Sequence, residues 1–348
     1  MTKALVLAAV TMMSTSAFAS KARMAALGES VTIADDVQEV FRNPAEMFGF
    51  GDLLTIEYGG QAEGGFFRSS GDTKYGIYFG NRSASFNAGI DAFNNTTPAP
   101  AVTLLKEQNP FEVFYGSKMG DSAWALSFKY SNAADKATPN RKVNTMGLRA
   151  GYNTDAFEVY AALGLAGKSE IDGVVTAQSD LSVRIGGEYF IGDSIAFVDI
   201  QQNSGKVTPN GGADAKASTM NWTIGYESKV RSETAHFFYG AKLASTEAKQ
   251  DPAKQTSMKL PLYAGVEADA ASWLAVRGFI QQSVLLNSSK NDNGTTSVDT
   301  EGLNDTATGL GASLKFGKVW IDGTLSANGT GNLNTDNLLA TTSLNYWF

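Results

Sequence analysis

Apolar and polar residues alternate over long stretches in the middle of the chain. Between positions 123 and 131, the large apolar residues Trp124, Leu126, Phe128 and Tyr130 are each separated by one small or polar residue. Successive side chains of a β-strand point to opposite faces of the sheet, so this period of two predicts strands with one apolar and one polar face. The same pattern returns in the segments 181–189, 221–229, 258–268 and 308–316.

Sixteen segments of this character cover most of the chain after residue 51. Their usual length, roughly ten residues, matches a tilted membrane-spanning strand of ~9–11 residues. The first three segments are short, so 14 strands is an alternative to 16. The predicted strands are 52–59, 62–69, 73–82, 110–118, 121–131, 143–152, 155–167, 178–190, 192–203, 217–229, 233–247, 255–269, 271–287, 304–316, 318–328 and 337–348.

The connections between these strands are alternately tight and long. Tight ones such as 119–120 alternate with longer ones rich in Asn, Ser, Thr, Gly and Asp, such as 288–303, and the longest connection is 83–109. Membrane barrels of bacteria have this asymmetry between short periplasmic turns and longer outer loops. The chain therefore predicts an all-β fold: a closed antiparallel transmembrane β-barrel of 14–16 strands, with a short helical N-terminal segment as a hatch.

The charged residues of the strands are predicted to point into the barrel. In lipid every backbone N–H and C=O must be paired, so the sheet closes and its polar face lines a lumen. A Lys or Arg on the lipid side would cost ~2–4 kcal/mol at mid-membrane. The inward charges either line a hydrated solute path or pair across the lumen and hold its shape. The predicted lumen-lining residues are Glu112, Lys129, Arg149, Glu158, Arg184, Glu188, Glu227, Lys229, Lys242, Lys259, Glu267, Arg277, Lys315 and Asp322.

Composition narrows the class of protein. The 348 residues are 43% hydrophobic and 18% charged, and the charged share is below the ~25% typical of soluble domains. The formal net charge of −7 argues against a nucleic-acid partner, which needs a basic surface. The chain has no Cys, which excludes disulfides and thiol chemistry, and one His, which excludes zinc sites built on several His ligands. No cofactor is predicted.

The start of the chain has the features of an export signal. Lys3 is followed by the apolar run 4–13, and the tripeptide 17–19 is an A-x-A cleavage site before Ser20. The apolar run is too short to span a bilayer, and the alternative is a buried N-terminal helix. The predicted units are a signal peptide over 1–19, an N-terminal hatch or plug segment over 20–51 and the barrel over 52–348.

The chain ends on an alternating segment. Counting back in twos from Phe348 gives Tyr346, Leu344 and further apolar or small residues, whereas the other face is mostly polar. This segment resembles the closing strand of bacterial outer-membrane barrels, in which the terminal aromatic residue is read by the barrel-assembly machinery. The resemblance implies an assembly signal at Leu344, Tyr346 and Phe348. It also implies a bacterial outer-membrane location and contact with outer-membrane lipid and lipopolysaccharide.

The segment before the first strand contains no alternation. Asp36, followed three residues later by Glu39, predicts the capped start of a helix that includes Phe41. The residue before a proline avoids the helical conformation, so Asn43 and Pro44 are predicted to end this helix.

This segment resembles the start of FadL-type outer-membrane channels. In that family a stretch of small residues with Gly leads into a helix that ends in Asn-Pro-Ala; the run 26–45 matches it, with Glu46 where Gly often follows. The resemblance implies a hatch that plugs a 14-stranded barrel, from which hydrophobic compounds such as long-chain fatty acids leave through a side opening. The alternative is a periplasmic helix that caps the barrel floor. The hatch residues so implied are Asp36, Phe41, Asn43, Pro44 and Ala45.

No constellation of catalytic residues is evident. His236 is the only candidate base, and its position in the alternation places it on the inner face with Phe238 and Lys242. No nucleophile motif lies near it in the sequence. The chain is therefore predicted not to be an enzyme.

Together these features predict an outer-membrane channel for the passive uptake of small-molecule solutes. Apolar inward residues near the hatch, such as Phe114, Phe238 and Phe279, would favour a FadL-like path for hydrophobic solutes. An open, charge-lined constriction would favour a general aqueous diffusion porin. A fixed hatch that blocks the lumen would favour a non-transport role, as a structural barrel or a partner in secretion. An oligomer is compatible with the barrel, although the sequence shows no interface.

Overall fold

The strands of this protein close into a barrel. A computed structural model describes residues 21–28, 30–31, 37–59, 61–95, 102–302, 305–328 and 338–348. Eighteen strand segments form one antiparallel sheet. The last segment returns to the first, where Leu53 pairs with Trp347 and Tyr58 with Thr342. The all-β closed barrel that the alternation predicts is confirmed.

The segments vary in length around the barrel. In chain order they are β1 (Leu53–Tyr58), β2 (Ala62–Ser70), β3 (Thr73–Phe79), β4 (Phe111–Met119), β5 (Ser122–Asp135), β6 (Arg141–Asn153), β7 (Phe157–Ile171), β8 (Val175–Ser179), β9 (Ser182–Ile191), β10 (Ser194–Pro209), β11 (Ala215–Arg231), β12 (Ala235–Gln250), β13 (Ala253–Ala271), β14 (Leu274–Asp292), β15 (Ser297–Glu301), β16 (Ala307–Phe316), β17 (Val319–Asn328) and β18 (Leu338–Trp347).

Two of the barrel strands are interrupted, which reduces eighteen segments to sixteen strands. Segments β8 and β9 follow one another along the same neighbours, β7 and β10. Segments β15 and β16 likewise follow one another along β14. Sixteen strands is the number in the sequence-based list, and it differs from the 14 that the FadL resemblance implies.

The outer surface is apolar and the inner surface is polar, as the alternation predicts. Leu126, Ile224 and Ile280 are 52%, 53% and 56% exposed on the outside of the barrel, whereas Ser127, next to Leu126, is 3% exposed on the inside. Tyr189 is among the exposed aromatic residues near the strand ends. An apolar outer band with aromatic residues at its edges is the surface that a membrane barrel presents to lipid.

Inward-facing aromatic rings lie over glycines of the neighbouring strand. Phe197 covers Gly225 and Phe238 covers Gly265, and a Cβ on either glycine would collide with the ring. Because glycine has no side chain, the ring can lie flat against the sheet. This packing gives a role to some of the 36 glycines of the chain.

The two ends of the barrel differ. Tight turns lie at the end that also holds the C-terminus, which we call the turn end; there Phe348 N–H donates to the carbonyl of Asp52 over 3.1 Å. The longer connections lie at the opposite end, the loop end. Strands β1 and β3 have only 6 and 7 residues, whereas β13 and β14 have 19 each. The wall is therefore lowest at β1–β3.

Several strands extend further toward the loop end than their pattern indicates. Strand β10 continues to Pro209 and β14 to Asp292, beyond the predicted ends at 203 and 287. These extensions are mostly polar on both faces, with Val207 of β10 as an apolar exception that packs inward, so they carry no regular alternation of apolar and polar residues.

The sequence pattern indicates a long loop over 83–109, but part of this connection is helical. It contains helix α2 (Ala84–Asn94), in which Phe86, Ile90 and Phe93 recur at helical spacing and join an apolar cluster. The helical spacing of these three residues is visible in the sequence, but the helix has only 11 residues, and the pattern is correspondingly weak.

Among the described residues before the first strand there are three short helices. They are the α-helix α1 (Lys21–Leu27) and two 3-10 helices, Val37–Phe41 and Pro44–Phe48. Over the part of the chain that the structure describes, no helix is long and apolar enough to cross a membrane. The predicted signal peptide over 1–19 lies outside the described residues.

Candidate functional site: the occupied lumen

The N-terminal segment comprises residues 21–51, and its described parts, 21–28, 30–31 and 37–51, lie inside the barrel. Helix α1 rests against β14, β16, β17 and β18, and the 3-10 helix Pro44–Phe48 rests against β5 and β6. Gly28, which has a φ of +64°, packs directly on the ring of Phe279 from β14. A side chain at position 28 would meet that ring and would also strain the backbone.

The first anchor of this segment joins it to strands β1, β2 and β13. The backbone N–H of Lys21 donates to Glu57 over 3.2 Å, and the Lys21 ammonium pairs with Glu63. On the other side of helix α1, the Arg23 guanidinium pairs with Glu267 at 3.1 Å. The start of the segment is therefore held through its positive charges and its N–H groups.

The second anchor is on β11. The hydroxyl of Ser30 and the backbone N–H of Val31 both donate to Glu227, the latter over 3.1 Å. The hydroxyl of Tyr263 also donates to Glu227, over 3.0 Å. This carboxylate is fully buried, and buried carboxylates are stable when they accept several hydrogen bonds.

The third anchor centres on Arg42, which is surrounded by three carboxylates. Its guanidinium pairs with Glu39 at 2.7 Å, with Glu158 of β7 at 3.3 Å and with Glu188 of β9. The ring of Tyr160 lies 5.4 Å from the guanidinium carbon. Arginine suits this position because its planar fork of five donors can serve several acceptors at once.

The Asn-Pro-Ala tripeptide builds the turn between the two 3-10 helices. Asn43 caps the second helix by accepting a hydrogen bond from the N–H of Ala45 over 3.1 Å, and Pro44 occupies the first turn. The Asn43 amide also donates to Glu158 over 2.9 Å and to Asn153 over 2.6 Å. Asn43 and Pro44 thus end one helix, as predicted, and begin another.

The predicted helix start at Asp36 lies outside the described residues. The helix that follows it is a 3-10 helix of five residues, and Glu39 pairs with Arg42 rather than acting only as a capping residue. Phe41 packs edge-on against Tyr78 and Phe114, with ring centroids 4.8 and 5.8 Å apart. The hatch residues implied by the resemblance, as far as they are described, therefore all contact the barrel wall or cap a helix within the lumen.

Glu46 occupies an unusual position at the end of the third anchor. Its carboxyl group accepts a hydrogen bond from the Asn153 amide at 2.5 Å. Burial, the hydrogen bond with Glu158 and the negative charge of Glu158 raise the pKa of Glu46 well above its usual range, against the opposing effect of Arg42. This is the position where the FadL-type pattern often has Gly.

The described residues of the connection between β3 and β4 pack against the inner wall toward the loop end. Glu107 is fully buried there and pairs with Lys129 of β5 at 3.2 Å; it also accepts from the backbone N–H of Ser83 and the hydroxyl of Thr145. The apolar contacts of this connection are with β7 and β8. Its buried cluster is Ile90, Leu104, Ile171, Val175 and Ala177.

The predicted lumen-lining residues fall into two groups. Glu158, Glu188, Glu227 and Glu267 hold the N-terminal segment, as described above, and Lys129 holds the β3–β4 connection. The others belong to the wall. Its pairs are Arg149 with Glu112, Arg184 with Asp199 at 2.8 Å, Arg277 with Asp322 at 3.2 Å, Lys315 with Asp269 at 2.5 Å and Lys259 with Asp305 at 3.5 Å.

Two predicted lumen lysines have other surroundings. The Lys242 ammonium lies 5.5 Å from the centre of the Tyr263 ring, and Lys229 is half-buried on the inner face of β11. His236 is also half-buried on the inner face, two residues from the buried Phe238. Within the described ranges, no cluster of three or more His, Asp or Glu side chains could hold a metal ion.

The three inward phenylalanines do not line an open path. Phe114 packs against Phe41, and Phe238 and Phe279 pack around Leu27 of helix α1. Phe114 and Phe238 are 2% and 1% exposed. These rings therefore serve to seat the N-terminal segment.

Sequence reasoning missed Glu57 and Glu63, which anchor Lys21. Both alternate with apolar residues in β1 and β2, and that signal could have placed them on the inner face. It also missed Arg23 and Ser30 as partners of strand carboxylates. For these two no sequence signal exists, because their partners lie about 200 or more residues away along the chain.

Comparisons with known proteins leave the chain without a family assignment. No protein-family profile and no curated protein matches it. Among solved structures, a FadL homologue from Pseudomonas aeruginosa is similar with 11% identity over 90% of this chain and 94% of its own, at a TM-score of 0.42. The monoaromatic hydrocarbon channel CymD is similar with 10% identity over 93% of this chain and 96% of its own, also at 0.42.

The FrpB iron transporter from Neisseria meningitidis, in its apoprotein form, is similar with 9% identity over 82% of this chain, at a TM-score of 0.43. This chain spans 63% of the length of FrpB. With identities and TM-scores this low, the likenesses carry no argument about function. The architecture rests on the strand pairing itself, which closes one antiparallel sheet into a barrel.

Proposed function

We propose that the chain is a passive channel of the bacterial outer membrane, in which the N-terminal segment is a hatch that controls the passage of small solutes. The observation that carries this proposal is the docking of that segment across the lumen. Its contacts reach Glu57 on β1 and Glu227 on β11, which lie on opposite sides of the barrel. A solute that crosses at this level requires the hatch to shift or leave.

A sixteen-strand barrel supports this function by its width. Barrels of 16–18 strands leave an aqueous channel when nothing fills them, whereas eight-strand barrels are filled by their own side chains. The solute would enter from the loop end, pass the hatch at the turn end and move down its concentration gradient.

The location and partners follow from the same proposal. Residues 1–19 would direct export and be removed after Ala19, and Leu344, Tyr346 and Phe348 would be read by the barrel-assembly machinery. The apolar outer face would contact outer-membrane lipid and lipopolysaccharide. Its large exposed side chains include Tyr115, Leu126 and Ile185.

Conductance across a planar bilayer tests the proposed function. The chain from Ser20 is refolded and compared with a chain that lacks residues 20–44. We expect little KCl current from the first and a steady current from the second. A steady, large current from the intact chain would make it a general diffusion porin instead, and silence from both would indicate a structural or secretion-partner barrel.

A path for hydrophobic solutes is a second candidate, and one feature favours it. A groove of about 550 Å³ lies on the barrel wall at β1–β3, where the wall is lowest. Apolar residues line it, including Leu54, Ile56, Phe66 and Phe79, and Arg82 and Asn109 lie at its edge. This is where a side opening, of the kind implied by the FadL resemblance, would join the lumen to the membrane.

Substitution of the groove tests this second candidate. Replacing Phe66 and Phe79 with Ser should slow the uptake of an apolar probe such as toluene by cells that express the protein. Uptake that stays unchanged would remove the hydrophobic path and leave the aqueous one.

A further inference from the structure

The inner wall at the loop end carries a row of uncharged polar side chains. Gln201, Asn221, Thr246, Ser257 and Ser289 are directly paired across β10–β14, and we call them the polar row. Directly paired residues of antiparallel strands point to the same face. With strands ~4.8 Å apart, the row covers about 20 Å of the wall.

The polar row faces the lumen. Gln201 lies four residues after Phe197 on β10, so the two side chains point to the same face of the sheet. The ring of Phe197 lies over the inward-facing Gly225. The residues next to the row point outward, as Ile200, Met220 and Met258 show with exposures of 44%, 46% and 36%.

The side chains of the polar row make few hydrogen bonds of their own. Gln201 donates to Asn203 over 3.4 Å, and the Asn221 side-chain oxygen has no hydrogen-bond partner among the described residues. Within the same described ranges, none is recorded for the side chains of Thr246, Ser257 or Ser289. The Asn221 oxygen is buried, so the capacity of the row to bind water or a solute lies mainly in the half-exposed hydroxyl groups of Thr246, Ser257 and Ser289.

Polar side chains elsewhere on the inner wall are satisfied differently. On β17 and β18, Asp322 accepts from Ser343 over 3.0 Å, from Asn345 over 2.9 Å and from Arg277 over 3.2 Å. That cluster is buried and serves the packing of the barrel. The polar row is half-exposed and is not packed in this way.

The surroundings of the polar row are close to neutral. Arg184, which is the register partner of Gln201 on β9, is already paired with Asp199 at 2.8 Å. Lys259 lies two residues after Ser257 on β13, and it is paired with Asp305 at 3.5 Å. Neither charge is left to select an ionic solute.

We propose that the polar row binds uncharged, hydroxyl-rich solutes such as sugars and polyols, and that these are the solutes of the channel. The proposal rests on the proposed function. Amide and hydroxyl side chains both donate and accept hydrogen bonds, as each hydroxyl group of a polyol does, so such a solute replaces the water that it displaces. A hydrocarbon would remove that water without replacing its hydrogen bonds, and the row would therefore reject it.

Calorimetric titration of sucrose into the refolded chain from Ser20, in detergent micelles, tests the proposal. The polar row variant Asn221→Leu with Thr246→Val removes hydrogen-bonding groups at nearly constant volume, and we expect it to weaken sucrose binding by about tenfold. The control Ser245→Val lies beside Thr246 on the outer face, paired with Trp222 and Met258. We expect it to leave sucrose binding unchanged.

A second row variant, Gln201→Leu with Ser257→Ala, lies on other strands and keeps the test valid if the first variant misfolds. Sodium benzoate serves as an apolar anionic probe, and we expect no binding of it that depends on the polar row. Absent sucrose binding, or sucrose binding that both row variants leave intact, would overturn the inference.

The proposed function has a separate readout, the KCl current of the chain that lacks residues 20–44. If that chain conducts and the intact chain does not bind sucrose, the inference fails and the channel stands. If no form conducts, the proposed function fails and the row is not part of a channel.

Discussion

Two parts of the chain pack against the inner wall, and they differ in how they are attached to it. The N-terminal segment meets the wall through Lys21, Arg23, Ser30 and Arg42, whose partners are carboxylates on strands all around the barrel. It also buries apolar side chains against the wall, around Phe41 and around Leu27. The described residues of the β3–β4 connection meet the wall through the buried pair of Glu107 with Lys129 and through an apolar cluster around Ile90, and the connection is joined to the barrel at both of its ends.

This difference determines which part can move. Charged and polar groups that leave their partners in a hydrated lumen regain hydrogen bonds to water, so the cost of release is the difference between two polar states. Apolar side chains regain nothing and lose about 25 cal/mol for each Å² that becomes exposed. Release of either part exposes apolar side chains, which lie around Phe41 and Leu27 in the first and around Ile90 in the second. The N-terminal segment continues into the wall only at β1, whereas the β3–β4 connection is joined to it by two strands, so the N-terminal segment is the candidate moving part and the connection is the fixed part.

Arg42→Met should have the largest effect on the docking of the N-terminal segment. It leaves Glu39, Glu158 and Glu188 without their shared cation in a buried site, and removal of one partner from a buried ion pair costs ~3–5 kcal/mol. We expect the segment to undock, the KCl current to rise toward that of the chain without residues 20–44, and trypsin to cleave at Arg23.

A matched arginine provides the control for this variant. Arg141 pairs with Asp135 at 2.5 Å near the surface, where such pairs contribute ~0–1 kcal/mol. Arg141→Met should leave the current and the trypsin pattern unchanged. If both variants behaved alike, the third anchor would not be what holds the segment.

Ile90→Ala tests the fixed part. Ile90 is 1% exposed in the apolar cluster, and its truncation should loosen helix α2 by ~2 kcal/mol, the lower end of the range for such cavities. We expect faster trypsin cleavage at Arg82 or Lys106 with no change in KCl current. A rise in current as large as that of Arg42→Met would reverse the roles assigned to the two parts.

Asn43→Ala should have a smaller effect on the moving part. It removes the cap of the second 3-10 helix and the hydrogen bonds to Glu158 and Asn153, at a cost of ~1–2 kcal/mol. Brief openings in the bilayer recording should become more frequent without a steady current. Asn144→Ala, at an exposed site on β6, is the matched control, and its frequency of openings should equal that of the unaltered chain.

The barrel could be predicted almost completely from the sequence, since it depends on a local pattern. The alternation near Trp124 is repeated in every spanning strand, and the lipid fixes which face is apolar. The pattern stops where the lipid stops, which is why the polar extensions of β10 and β14 were missed. Helix α2 was missed because its three apolar residues are few and its polar neighbours resemble those of a loop.

The lumen contacts could be predicted only in part. Alternation indicated that Glu158, Glu188 and Glu227 point inward, but it contained no information on their partners, which come from a segment without periodicity. The pairing of Arg42 with strands β7 and β9 depends on how the segment crosses a closed barrel. That crossing is a property of the whole fold, and no local sequence pattern records it.

Glu46 provides the smallest test of the moving part, through pH. Its pKa is raised in the docked segment, mainly by burial and then by Glu158, so the docked state holds its proton more tightly than a released segment would. Docking should therefore weaken as the pH rises from the ordinary carboxyl range toward the raised pKa, because Glu46 must then be charged beside Glu158.

Glu46→Gln mimics the protonated carboxyl group and should remove this part of the pH dependence. Trypsin cleavage at Arg23 between pH 5 and pH 9 is the measurement, and cleavage should increase less with pH in the variant than in the unaltered chain. Other carboxylates of the third anchor remain in both proteins, so the difference between the two profiles isolates Glu46. Profiles that coincide would mean that Glu46 is charged in the docked segment and that Arg42 compensates it, which would make the hatch insensitive to pH at this position.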